Sequence, residues 1–217
     1  MSLPVSREKL YDARVHLIRK DLENSSDEEF LKNRLIVLSE LTRLRQLCCD
    51  PSLCYENFME PSAKPEATMD LIERAIDECH RMLLFSQFTS MLSRIAAALE
   101  RLHIMYFTIT GATAKEERVR LVDAFNRGST PVFLISLKAC GTGLNLTGAV
   151  QDQATDRAHR IGQTKVVTVY SMIAKDTIEE KIIKLQESKK DLAAKILSGE
   201  HVSLSSLFRA ELPDLLS

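Results

Sequence analysis

The chain has 217 residues, 45% hydrophobic and 27% charged, with a net charge of −1; that length buries one full core with room for a small accessory unit. A passive electrostatic nucleic-acid binder normally carries a basic excess, so the near-neutral balance does not support that class and leaves local phosphate contacts open. The five cysteines (Cys48, Cys49, Cys54, Cys79, Cys140) are odd in number and form no CxxC pair, which argues against a disulfide framework or zinc site and for a reducing compartment.

In chain order, Ser6 is a candidate N-cap for a first helix with Leu10, Ala13, Leu17, Ile18 and Leu22 on one stripe. NSSDEEF interrupts it, and a second helix follows through Leu31, Leu35, Leu38, Leu41 and Leu44. DPSLCYENFMEPS then reads as a loop from its prolines and polar residues. From Ser62 the rhythm changes. Amphipathic helices over 63–78, 89–102 and 114–126 precede the short apolar runs RMLLFS, IMYFTIT and PVFLIS in turn. KVVTVYSMI is a fourth such run, followed by a long helix with Thr177 and Glu180 as a capping box. Apolar runs alternating with amphipathic helices imply βαβ units around a buried parallel sheet, an α/β fold. No apolar run approaches the ~18 residues of a membrane span, and the start MSLPVSREKL has no apolar leader core.

Open parallel sheets bind ligands beyond the carboxyl ends of their strands. Here those ends carry Ser86 and Gln87, then Thr110 and Gly111, then Ser136 and Lys138 before the turn Gly141-Thr142-Gly143. Glycines let backbone amides turn toward an anion. The loop fits neither GxGxxG nor GxxxxGK[ST], so spacing alone leaves a plain turn and a phosphate loop both open. In DQATDRAHRIGQ, a helix places Gln153, Arg157 and Arg160 on one stripe, with Ala154, Ala158 and Ile161 on a second that suits packing. Periodicity alone fits two exposed guanidiniums aimed at a ligand or a surface helix with ordinary ion pairs. No nucleophile–base pair, paired carboxylates or metal cluster stands out.

Together the motifs resemble the second motor lobe, the helicase C-terminal domain, of Swi/Snf-type DNA-dependent ATPases in helicase superfamily two. The matching strings are LTRLRQLCCDPSL, LLFSQFTSML, ITGATAKEERVRLVDAFN, FLISLKACGTGLNLTGA and, most specific, DQATDRAHRIGQ. The resemblance covers nearly the whole chain. It implies a RecA-like three-layer lobe with a mostly parallel central sheet over 62–175, an accessory helical arm over 1–61, and a C-terminal helical brace over 176–217 packed on the lobe. It further implies a composite ATP site whose other half, with most of the grip on ATP and Mg2+, lies on an N-terminal lobe of the same polypeptide. This chain has neither a phosphate-loop string nor a DE-x-H string, so the fragment alone is expected to be inactive and monomeric.

By the same resemblance, Arg157 and Arg160 reach the ATP phosphates as arginine fingers, a contribution of roughly 10³–10⁵ in rate. Gln153, Gly141, Thr142 and Gly143 line the nucleotide side and couple it to DNA. Ser86, Gln87, Thr110, Gly111, Ser136 and Lys138 lie near the backbone of double-stranded DNA, where phosphate contacts position without reading sequence. The implied location is the cytoplasm and nucleoid of a bacterium or the nucleus of a eukaryote, with no membrane. The other readings are a non-catalytic helicase-like interaction or DNA-binding module and, more weakly, a small-molecule α/β enzyme. The sequence departs from the family at Cys140, where glycine is usual, and at Ala149-Val150. There the family has a further apolar strand and an aromatic, proline-containing loop, so a lost strand or a break in the peptide is expected at the join.

Overall fold

A computed structural model describes residues 5–23, 27–55, 58, 62–140, 167–184 and 216. The described elements are α1 (Val5–Glu23), α2 (Asp27–Cys49), α3 (Ala63–Asp77), β1 (Met82–Ser86), α4 (Thr89–Arg101), β2 (Tyr106–Ile109), α5 (Lys115–Arg127) and β3 (Val132–Ser136). Short 3₁₀ turns follow α2 and β3, at Pro51–Leu53 and Leu137–Cys140. Each βα alternation falls where the apolar runs and amphipathic stripes place it. No described helix is long and apolar enough to cross a membrane.

The chain forms two compact units, Lys64–Ser171 and Met1–Ala63 with Met172–Ser217. In the first unit, the sheet order is β1-β3-β2 and both pairings are parallel. The register sets Ser86 opposite Ser136 and Ile109 opposite Ile135. Alternation divides β3 between two faces. Phe133 turns to one face, where Phe125 of α5 lies at 5.1 Å and Phe107 at 5.9 Å between ring centroids. Ile109 joins them, with Leu121 and Val122 packed at the margin. Val132 and Leu134 turn to the other face and are fully buried. Helix α4 meets β1 and β3 and buries Met91, Leu92, Ile95 and Leu99 at helical spacing.

Three helix ends carry distinct closures. Helices α3 and α4 end in paired 6→1 and 5→2 hydrogen bonds: His80 N to Ala75 O (2.7 Å) with Cys79 N to Ile76 O (2.9 Å), and Ile104 N to Leu99 O (2.9 Å) with His103 N to Glu100 O (3.0 Å). This closure needs a left-handed residue, normally glycine, yet Cys79 (φ 57°) and His103 (φ 56°) occupy it. At the end of α5, Gly128 is required by space, because a Cβ there would sit 2.7 Å from Ala124 O. Arg81 covers the same end, donating to Phe125 O (2.5 Å) and Gly128 O (3.2 Å), with its guanidinium 4.9 Å over the Phe125 ring.

In the second unit, α1 and α2 share a core of Tyr11, Ile18, Leu41, Leu44, Leu47 and Cys48 with Ala174, Ile178 and Leu216. Arg14 pairs with Glu40 across the two helices at 2.5 Å. The buried stripe of α1 is rotated from the expected one: Tyr11 and Ile18 are inside, whereas Leu17 is 53% exposed and Ala13 faces solvent. Tyr11 decides the rotation, because its hydroxyl accepts the Ile178 amide at 2.6 Å. Its burial raises the phenol's pKa. Asp50 caps the 3₁₀ turn by accepting from Ser52 N (3.0 Å). It also accepts from Ser62 Oγ (2.9 Å), which in turn accepts from Arg7.

Two local expectations change. The cap before the helical turns at 178–184 is shifted by one residue: Glu180 accepts from Asp176 N (3.0 Å), and Thr177 Oγ1 accepts from Glu179 N (3.2 Å). Asp176 lies at φ 58°, and this turns its amide back toward the Glu180 carboxylate in place of Thr177's. The run KVVTVYSMI is not a strand over its described part, 167–173, and pairs with no strand among the described residues. The join Ala149-Val150 lies outside the described residues.

Replacing Cys79 or His103 by glycine is expected to stabilise the chain by about 0.5–1 kcal/mol, the relief of the left-handed strain less glycine's own entropy. Gly128→Ala is expected to destabilise it. Denaturant midpoints at unchanged slope check both signs.

Candidate functional site: the carboxyl rim of the sheet

Because β1, β3 and β2 run parallel, their three carboxyl ends open on one edge. Neighbouring strands lie about 4.8 Å apart, so the three ends span about 10 Å. Ser86 closes β1 with a local turn: its hydroxyl accepts from Phe88 N (3.1 Å) and donates to Phe88 O (3.2 Å). This turns the chain sharply into α4 and leaves Gln87 half-buried at the bend.

Beyond β2, Thr110 and Thr113 hold each other. Thr110 N donates to Thr113 Oγ1 (3.0 Å), Thr113 N donates to Thr110 O (3.2 Å), and Ala112 N donates to Thr110 Oγ1 (3.3 Å). Gly111 sits at the exposed tip, where an added Cβ would meet nothing within 4 Å. Beyond β3, Ser136 is fully buried, and its Oγ has no partner among the described residues. Lys138 lies in the backbone of the 3₁₀ turn Leu137–Cys140.

One side chain ties this rim together. Arg118, near the start of α5, donates Nε to Thr113 O (2.8 Å) and Nη1 to Ala139 O (2.9 Å). Its Nη2 reaches Thr110 O (3.3 Å) and Gly111 O (3.2 Å). A planar fork with five N–H groups can serve four carbonyls on two loops; a lysine cannot. Arg118 therefore holds the loop after β2 against the turn after β3. Sequence reading passed over it as part of a motif. The available signal was its position: a cation in the first turns of a helix opposes the helix dipole, which is a reason to look for acceptors elsewhere. The neighbouring Arg120 is ordinary by comparison, pairing with Glu117 at 2.6 Å on an exposed face and drawing that carboxyl's pKa down.

Of the sequence candidates, the sheet brings Ser86, Gln87, Thr110, Gly111, Ser136 and the backbone of Lys138 to this one edge. Gly141, Thr142, Gly143, Gln153, Arg157 and Arg160 lie outside the described residues. The rim offers hydroxyls and backbone groups. Among the described residues, no three His, Cys, Asp or Glu side chains are placed to hold a metal ion.

Residues 63–162, from the start of α3 through the whole sheet, match the helicase conserved C-terminal domain. The SWI2/SNF2 ATPase core of Sulfolobus solfataricus, solved in complex with double-stranded DNA, superposes with a TM-score of 0.70 at 28% identity, over 96% of this chain and 48% of that one. The chain belongs to the helicase C-terminal domain family, in its SWI2/SNF2 branch. The sheet of this helicase lobe is accordingly the RecA-like parallel sheet of that family. An uncharacterised ATP-dependent helicase of Mycoplasma pneumoniae is 37% identical over 195 positions, covering 83% of this lobe and 19% of that protein. The putative ATP-dependent helicase/translocase YwqA of Bacillus subtilis is 33% identical over 237 positions, covering 99% of this lobe and 25% of that protein. The lobe thus spans a quarter or less of these relatives. The second alignment is also longer than the 217-residue chain itself, so YwqA carries residues inside the shared span that this helicase lobe lacks.

Arg118→Ala is expected to cost about 1–3 kcal/mol, since it strips a charged donor from four carbonyls that water reaches only in part. Amide exchange should rise at 110–113 and 137–140 and stay unchanged in α1 and α2. Arg118→Lys should recover only part of the loss.

Proposed function

We propose that the chain is the second motor lobe of an ATP-dependent translocase on double-stranded DNA. The observation that carries this reading is the rim: three parallel strand ends in register, locked by Arg118, in a lobe of the SWI2/SNF2 branch. Such an edge presents hydroxyls and amides to phosphates, and phosphate contacts give grip without sequence preference. Ser86, Gln87, Thr110, Gly111 and Lys138 face the DNA backbone. Ser136, being buried, sets the end of β3 beneath them.

ATP is the substrate, bound between this lobe and an N-terminal lobe of the same polypeptide. Arg157 and Arg160 meet its phosphates, Gln153 orders the cleft, and Gly141, Thr142 and Gly143 shape the loop that links nucleotide to DNA. Magnesium, when bound, neutralises phosphate charge. It is held mainly by the other lobe, as the family resemblance implies. Closure on ATP and opening after hydrolysis alternate the grip of the two lobes, and Arg118 transmits the movement by keeping the two rim loops as one body. Residues 62–175 form the motor lobe, with 1–61 as its accessory arm and 176–217 as its brace. The fragment is monomeric, and the full protein works at the nucleoid of a bacterium or in a eukaryotic nucleus.

Two measurements test this. The purified 217-residue chain should hydrolyse no ATP above background, with or without duplex DNA. In the two-lobed protein, Arg160→Ala should lower DNA-stimulated hydrolysis about 10³-fold or more with the fold intact. Robust turnover by the fragment, or near-normal turnover by the variant, overturns the assignment.

A further inference from the structure

The accessory helices enclose a small cavity that shares no residue with the rim. Arg43, Gln46 and Leu47 fall at i, i+3 and i+4, so one face of α2 carries all three. Asp50 then ends the helix in the tight turn Pro51–Leu53, held by Leu53 N to Asp50 O (3.0 Å) and Tyr55 N to Pro51 O (2.9 Å). The turn brings the chain back over that face, where Cys54 Sγ donates to Arg43 O and to Gln46 Oε1, each at 3.7 Å. Arg14 of α1 closes another wall, and with Leu53 and Tyr55 these residues bound a cavity of about 290 Å³. All of them belong to the unit of Met1–Ala63 and Met172–Ser217.

The walls are rich in donors and poor in acceptors. Among the described residues, no carboxylate lines the cavity. Glu40 pairs with both arginines: its Oε2 takes Arg14 Nη2 at 2.5 Å, and its Oε1 lies 3.9 Å from Arg43 Nη1. One carboxylate thus serves two guanidiniums, which leaves a net positive charge and most of their N–H groups over. Gln46 Oε1 is taken up by Cys54, so what Gln46 has left to offer is its NH2 group. Tyr55, 39% exposed, adds an aromatic ring and a hydroxyl. The positive field reaches the thiol: burial raises the Cys54 pKa, and the Arg43 and Arg14 guanidiniums oppose that rise.

We propose that this cavity binds the phosphoryl group of a small molecule, either free phosphate or a phosphate monoester. A phosphoryl group carries about −1.5 to −2 charges and three strong acceptor oxygens. It accepts from α1, α2 and the turn together, whereas a carboxylate presents two coplanar oxygens that one guanidinium fork satisfies. The volume lies at the lower end of small-molecule sites, about 300 Å³, so the ligand is small. A monoester would lay its organic body against Leu47, Leu53 and the Tyr55 ring.

The test is a titration of the 217-residue chain, followed by NMR at constant ionic strength, with inorganic phosphate, phenyl phosphate, acetate and a DNA duplex. Inorganic phosphate should give saturable shifts at Gln46, Cys54 and Tyr55. Arg43→Gln and Arg14→Gln should each weaken its binding about tenfold, the loss of a hydrogen bond to a charged group. Arg120→Gln, which removes an exposed arginine of α5, should leave it unchanged. Arg43 is itself exposed, and unchanged shifts of Leu44 and Ile178 in the neighbouring core confirm that its variant is folded. Tighter binding of phenyl phosphate than of inorganic phosphate identifies an ester as the ligand; equal or weaker binding identifies phosphate itself. Shifts that never saturate, or that survive both cavity substitutions, overturn the proposal. So does acetate at equal affinity, or duplex DNA that occupies the same residues at lower concentration, which would make the cavity a carboxylate site or a DNA-backbone contact.

Discussion

The lobe depends on β3 being paired in parallel on both sides. That pairing holds β1 and β2 in one register, so Ser86 and Ser136 stand opposite each other and Thr110 follows one residue beyond the Ile109–Ile135 pair. It also commits Phe133 to the α5 face and Val132 and Leu134 to the other, which fixes where both helical layers pack. The polar ends of the strands gather at one edge as a geometric consequence, and the candidate site is that edge.

A sheet edge alone would leave its loops independent. Arg118 removes that freedom by placing one guanidinium among carbonyls of Thr110, Gly111, Thr113 and Ala139. The sheet supplies position and Arg118 supplies stiffness. The proposed motor role calls for both, because force developed at a nucleotide would have to arrive at DNA without being absorbed in a loop. Backbone strain lies elsewhere, at the two helix ends where Cys79 and His103 take a conformation better suited to glycine.

Much of this was legible in the sequence, for a physical reason. Short apolar runs alternating with amphipathic helices have one good solution, a parallel sheet covered by helices, and α3, α4, α5 and the three strands fall within a residue or two of expectation. What failed was whatever depends on a partner distant in sequence. The expected stripe did not include Tyr11, whose hydroxyl accepts from Ile178 N, and that single bond rotates the buried face of α1 away from Leu17. The strand order and register cannot be read from periodicity. Val167–Ser171 has strand composition, yet it pairs with no strand among the described residues. On the rim, Ser86, Thr110 and Ser136 were found because they end strands. Arg118 was read only as part of a motif, without its role, because its acceptors are backbone atoms, which leave no mark in the sequence.

The central claim is that this edge grips phosphate without reading bases and does so without nucleotide. The direct measurement is titration of the 217-residue chain against fluorescent duplexes of unrelated sequence between about 50 and 200 mM salt. The account predicts equal affinity for all duplexes, a steady loss with salt, and no change on adding ATP. Affinity that differs between sequences, that ignores salt, or that is absent at the lowest salt would contradict it.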